Sequence, residues 1–240
     1  MSEGRKSSKF IDLSHTIEEG TITYKGLPAP LMCDYLMREA SRTDSDCGHE
    51  FQIGKIDMAG NGTYLDTPFY RHPTGRDLSH LSLEKTADIE AIVVRAPYEN
   101  GPAIESTCFD GMYLNGRAVL IHTGWDRHWR TDAYYEGHPF LTATAARYLA
   151  HSGVKLVGID SHNIDDTKRR TRPVHTILLG AGVPICEHLC NLGVLPSNQF
   201  RFTAVPPKVR GFGTFPVRAY ACVTSNDYGS SACFARVRIP

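Results

Sequence analysis

The stretch GNGTYLDTPFYRH, from Gly60 to His72, holds an aspartate, two tyrosines, a histidine and a proline within thirteen residues that open on two glycines. A carboxylate set among phenols and an imidazole is a kit for proton transfer or for holding a cation. Asp66 stands at its centre, either as an active-site carboxylate or as an Asx-type turn residue ahead of Pro68. Tyr64 and Tyr70 either donate hydrogen bonds to a carbonyl or an oxyanion, or serve as apolar walls.

Three further clusters follow apolar runs, where side chains of an α/β protein meet a ligand. HTGWDRHW (His122–Trp129) offers Trp125 as a flat wall for a ligand or as a structural indole with its N–H satisfied. GIDSHNIDD (Gly158–Asp166) closes an apolar run on Asp160, which must find partners there, and adds Ser161, His162 and Asn163; Asp165 and Asp166 read as a solvated turn. His175 and Glu187 are separated by enough chain for a helix end, a turn and a strand to bring them back together, although a lone buried histidine is more often a bonded core residue. Cys186 and Cys190, four apart beside Glu187 and His188, would share one face of a helix; without a second pair they read as two small buried residues.

Elements must position these groups. AIVVRA (91–96), AVLIHTGW (118–125) and VKLVGID (154–160) are short, β-branched runs ended by Gly, Pro or Asp, and are predicted to be buried strands. TATAARYLAHS (142–152) is predicted to be a helix capped by Thr142 and stopped by Gly153. A second helix is expected over Thr171–Leu179, followed by a strand in VPICEHL that runs into another helical turn. The pattern is α/β without an internal boundary: a flexible polar segment over 1–9, then one domain over 10–240, with weak structure signals after Ser225.

Composition restricts what such a domain serves. The 240 residues are 41% hydrophobic and 22% charged, as in ordinary globular proteins that bury a core unaided. Lys plus Arg equals Asp plus Glu at 26 each, so no net field draws nucleic acid or an anionic membrane, and no apolar run is long enough to span a bilayer. Seven cysteines without a CxxC pair and without a signal-like N-terminus point to a reduced, cytoplasmic setting.

These residues carry a family resemblance. Gly62, Thr63, Asp66 and Pro68 fall on the G, T, D and P of HxGTHxDxPxH, the hallmark of the cyclase family that includes kynurenine formamidase and isatin hydrolase. The likeness extends to DLSH (Asp12–His15), GLP (Gly26–Pro28), TGW (Thr123–Trp125), GID (Gly158–Asp160) and His175–Leu192. It implies the single-domain swivelling β/β/α-type fold of that family and a homo-oligomer, dimer or tetramer. The activity implied is hydrolysis of a C–N or C–O bond, in an amide, lactam or lactone, of a small aromatic molecule.

The departures are equally specific. Gly60, Tyr64 and Tyr70 stand where the motif has its three histidines, and Lys25 stands where a proline is usual. By resemblance, Asp66, His175 and Glu187 would hold at most one divalent metal, Zn or Mn, with a metal-free pocket as the alternative; Asn61, His72 and His162 are further donors to weigh. The catalytic set expected is Asp66, Tyr70, His175 and Tyr64, with Tyr24, His72, Trp125, Asp160 and His162 around the substrate. Two other functions remain open: a metal-free cyclase or isomerase that closes a ring by orientation, and a binding protein that has kept the pocket.

Overall fold

The computed structural model describes residues 8–43 and 49–224. In chain order the elements are β1 (Ser8–Asp12), β2 (Leu31–Leu36), α1 (Arg38–Thr43), β3 (Ile53–Asp57), β4 (Tyr64–Asp66), α2 (Pro68–Arg71), β5 (Ile89–Arg95), β6 (Ala103–Ile104) and β7 (Ala118–His122). They continue with β8 (Phe140–Leu141), α3 (Ala143–His151), β9 (Leu156–Ile159), α4 (Pro173–Gly180), β10 (Ile185–Glu187), β11 (Phe200–Thr203), β12 (Thr214–Pro216) and β13 (Tyr220–Thr224). A nine-stranded mixed sheet in the order β1-β13-β11-β5-β7-β9-β10-β4-β12 organises them.

Strands β5, β7, β9 and β10 are parallel. The first three are the apolar runs predicted as strands, and they are apolar on both sides because both faces are covered. Ile92, Val94, Val119, Ile121, Val157 and Ile159 point into the layer that packs under α3 and α4, with Ala145, Leu149, Val174 and Leu178. Their alternates Ala91, Val93, Ala118, Leu120 and Leu156 face a second layer with Leu13, Leu65, Phe200 and Phe202. The Thr142 hydroxyl accepts from Ala145 N at 3.2 Å and starts α3, and Gly153 follows its end at φ +72°. Pro173 opens α4, two residues later than expected.

Several local expectations need correction. β1 begins at Ser8, inside the segment expected to be flexible, and Ser8 and Lys9 pair with Thr224 and Val223; residues 1–7, and the tail from Ser225 to which weak signals were assigned, lie outside the described residues. No helical turn follows β10 directly, since Leu189 bridges Ser14 and the next 3-10 turn is Leu192–Val194. Cys186 and Cys190 are both buried, but Cys186 sits in β10, so no helix face joins them.

Candidate active site

Strand period and register assemble the site. β4 lies between β10 and β12, with Tyr64 opposite Glu187 and Pro216, and Asp66 opposite Ile185 and Thr214. Directly paired residues share a face, so Tyr64, Asp66, Thr214 and Glu187 project to one side while Leu65 and Cys186 enter the core on the other. Gly62, at φ +75°, makes the approach to β4; a Cβ there would sit 2.8 Å from Ile17 Cγ1. The motif threonine, Thr63, accepts from His15 N at 3.0 Å and donates to the His188 carbonyl at 2.5 Å, tying the start of β4 to the end of β10.

His175 comes from the first turn of α4 and meets this face. Its Nε2 lies 3.3 Å from Asp66 Oδ2 and 3.7 Å from Glu187 Oε2, and all three side chains are buried. Its Nδ1 donates to Asp165 Oδ2 at 2.6 Å, which fixes the ring so that Nε2 aims at the two carboxylates. Asp165 also accepts from Val174 N at 2.8 Å and His175 N at 3.0 Å, so it caps α4 and orients its histidine at once. This corrects the solvated-turn reading of Asp165, which is buried at 1% exposure.

Glu187 is held on both oxygens: Oε1 accepts from Ile164 N at 2.6 Å and Oε2 from the Tyr64 hydroxyl at 2.7 Å. Burial works to raise its carboxyl, but the adjoining His175 cation and the bonds from His175 and Tyr64 bring it down to about 2. Burial opposes charge on His175, yet Glu187, Asp165 and Asp66 around it raise it well above the ordinary histidine value. Asp66 is raised, by burial first and by the nearby Glu187 charge. Burial, with the carboxylates, also lifts Tyr64 and Tyr70 above the ordinary phenol value, so both keep their protons at neutral pH.

A cleft of about 620 Å³ opens over this group, walled by Tyr24, Tyr64, Tyr70, Asn163, His175 and Thr214, with Arg71 and Arg172 at its rim. The Tyr70 ring lies 5.8 Å from that of His175, and Tyr24 stacks at 4.9 Å on His162, which backs the wall. Burial lowers His162 to about 4, which leaves it neutral.

Other expected site residues lie elsewhere. Trp125 is a structural indole that donates to the Tyr134 carbonyl at 3.0 Å and meets the Tyr98 ring edge-on, outside the cleft. Asp160 found its partners in backbone, accepting from Thr123 N at 2.8 Å and Gly124 N at 2.9 Å to hold the TGW turn. His72 donates to the Thr176 carbonyl at 3.2 Å and lines a separate hollow with Pro68, Lys85 and Gly180. Asn61 is spent on the loop before β4, accepting from Ala59 N and donating to the Thr21 carbonyl. Arg71 and Arg172 join the cleft without a sequence signal of their own, beyond Arg71 lying inside the Gly60–His72 stretch, while Asn163 comes from the GIDSHNIDD cluster.

The donor set has the chemistry of a cation site. Ligand atoms of Asp66, His175 and Glu187 lie within 4.8 Å of one another. Both Asp66 oxygens are buried without a well-formed hydrogen bond: Oδ2 meets only the His175 ring at 3.3 Å, an arrangement that a cation in place of the ring proton would satisfy. Two carboxylates and one imidazole suit a single divalent ion of the zinc or manganese kind. Gly60 brings no ligand atom, and the Tyr64 proton is engaged with Glu187, so the site fits one ion.

Comparison with known proteins places this geometry. The Cyclase family model matches residues 11–166, more than half of the chain. The chain belongs to the cyclase family. Kynurenine formamidase of Bacillus cereus is 24% identical over 216 residues, covering 89% of this chain and 97% of that one. Isatin hydrolase A from Labrenzia aggregata, bound to benzyl benzoate, superposes with a TM-score of 0.76 at 20% identity, covering 91% of this chain and 94% of that chain. A potential metal-dependent hydrolase with cyclase activity gives 0.71 at 24%, covering 90% and 98%. These structural likenesses establish that the cyclase-family fold expected from sequence is the fold of this chain.

Proposed function

We propose that this cyclase-family protein is an enzyme that hydrolyses the amide or lactam bond of a small aromatic substrate, using one divalent ion held by Asp66, His175 and Glu187. The observation that carries the reading is the convergence of these three buried side chains, their ligand atoms within 4.8 Å of one another, beneath an aromatic-walled cleft. The kynurenine formamidase and isatin hydrolase relatives support the C–N bond and the aromatic ring. A bound ion of this kind supplies Lewis-acid polarisation of a carbonyl and makes water acidic enough to attack near neutral pH.

The chain's own groups do the remaining work. Tyr70, protonated and in the cleft, donates a hydrogen bond to charge developing on the scissile carbonyl or passes a proton to the leaving nitrogen, the duty of the histidine the motif carries at that position. Tyr64 fixes the Glu187 carboxylate through its hydroxyl, and Asp165 fixes the His175 tautomer, so both ligand atoms are aimed before substrate arrives. Tyr24, braced by His162, offers a flat face to the substrate ring.

The active unit is a homo-oligomer. Among the described residues β2 and β3 form a two-stranded ribbon paired only with each other, exposing Leu31, Tyr35, Ile53 and Ile56; such a ribbon is marginal alone, and an apolar one asks for a covering surface. Two core layers sharing the central strands support reading the described residues from 10 onward as one domain. Among the described residues no helix is long and apolar enough to cross a membrane, and five free thiols there favour a reducing, cytoplasmic compartment.

The test is metal content and turnover together. Mass spectrometry of the purified protein should find up to one zinc or manganese per chain, and Asp66→Asn should lose it while lowering aryl-formamide hydrolysis by about 10²-fold or more. A wild-type protein that turns over fully without metal, or an unaffected Asp66→Asn, would overturn the reading and favour ring closure or binding alone.

A further inference from the structure

The cleft has a charged rim as well as a reactive floor. Arg71, the last residue of α2, and Arg172, which precedes α4, both line it, and no Asp or Glu is among its lining residues. Neither guanidinium has a carboxylate partner among the described residues, and what sets the two apart from the other unpaired arginines is that both line one cleft. Arg71 donates through Nε to Thr176 Oγ1 at 3.2 Å, and that hydroxyl donates to the Arg172 carbonyl at 2.8 Å, so one short link ties the two residues together. Both Nη groups of Arg71 are left without a hydrogen-bond acceptor among the described residues. Arg172 is held by the Asp166 carbonyl at 3.2 Å and reaches the Tyr24 hydroxyl at 3.3 Å, which sets its head beside the aromatic wall. A chain of zero net charge has thus gathered two uncompensated cations over one pocket.

We propose that Arg71 and Arg172 bind a carboxylate of the substrate, making this an enzyme for anionic aryl amides: the ring lies against Tyr24 and Tyr70, the carboxylate meets the arginines at the rim, and the amide reaches down to Asp66 and His175. The inference deepens the hydrolase reading and rests on it for the reaction, though not for the anion. Planar guanidinium groups suit a carboxylate because two parallel N–H donors meet its two oxygens.

The experiment uses the intact, metal-loaded protein and three probes: 2-formamidobenzoate, its methyl ester, and 2-aminobenzoate, the corresponding product. The free acid should exceed the ester in kcat/KM by about tenfold to a hundredfold for each arginine engaged, mostly through KM. Arg71→Ala should shrink that acid-over-ester ratio by a comparable factor and weaken 2-aminobenzoate binding in calorimetry. Arg71→Lys, which keeps the charge without the fork, should recover part of the ratio; Arg71 is the position substituted because the Arg172 guanidinium braces backbone carbonyls and its loss would disturb the fold. Equal rates for acid and ester would overturn the anion site and leave the hydrolase reading standing. A preference that survives Arg71→Ala undiminished would show that Arg71 does not hold the carboxylate, which also overturns the paired site. If neither formamide is hydrolysed while 2-aminobenzoate binds in an Arg71-dependent way, the hydrolase reading falls and the anion site stands.

Discussion

Asp165→Asn is the substitution that tests the geometry of this site most sharply, because it preserves size and alters only charge and one donor. Asp165 accepts three hydrogen bonds, from Val174 N at 2.8 Å, His175 N at 3.0 Å and His175 Nδ1 at 2.6 Å. An asparagine keeps one acceptor oxygen and turns the other into an NH₂ group. Placed against His175 that group would face two donors, so it will turn towards Val174, losing one bond there and leaving a neutral acceptor at the imidazole. A lost buried bond is worth about 1–3 kcal/mol, and a bond to an ionised group is roughly twice as strong as one to a neutral group. Together these give a loss of about 2–4 kcal/mol, or about 5–10 °C in Tm for a chain of this length. The larger consequence falls on the metal: loosening a ligand histidine's outer partner lowers affinity by about 10- to 100-fold. Differential scanning fluorimetry and competition with a fluorescent zinc chelator measure the two effects side by side. A lowered Tm with unchanged zinc affinity would mean that Asp165 braces only the start of α4, and the claim that it aims His175 would fail.

Other predictions follow from the same contacts. Tyr70→Phe should reduce turnover by about 10²-fold if its hydroxyl transfers the proton, and Tyr70→His, restoring the motif residue, should retain aryl-formamide hydrolysis; steady-state kinetics of both variants check it, and a fully active Tyr70→Phe refutes the role. Tyr64→His places an imidazole beside Glu187 and Asp66, so zinc affinity by the same chelator competition should rise by at least about tenfold; no gain would show that Tyr64 does not stand in for a ligand. Asp160→Asn puts an NH₂ group among donors from Thr123 and Gly124 at the base of the TGW turn, and thermal melts should show a loss of about 3 kcal/mol without change in metal content, as Asp160 lies outside the cleft.

Much of the frame follows from local sequence. Apolar runs flanked by Gly, Pro and Asp have few alternatives to central strands, and Thr142 and Gly153 bound a helix through their own side-chain and backbone preferences, so β5, β9 and α3 are legible within a residue or two, while β7 stops at His122, three residues short of the run expected to Trp125. Gly62, Thr63, Asp66 and Pro68 likewise specify the family, because their spacing is a local property of one strand and its approach. What a buried polar residue bonds to is not local. Asp160 and Asp165 stand at the end of one apolar run and the turn after it, and both are buried; only the packing of α4 turned the latter towards His175 and left the former holding a turn. Trp125 and His72 have the chemistry of pocket residues but are consumed by the Tyr134 and Thr176 carbonyls, partners decided in three dimensions. Arg71 and Arg172 are about a hundred residues apart and separately unremarkable. The docking of α2 against α4 makes them one cationic rim, since charge at a site is a sum over neighbours that the linear chain does not reveal.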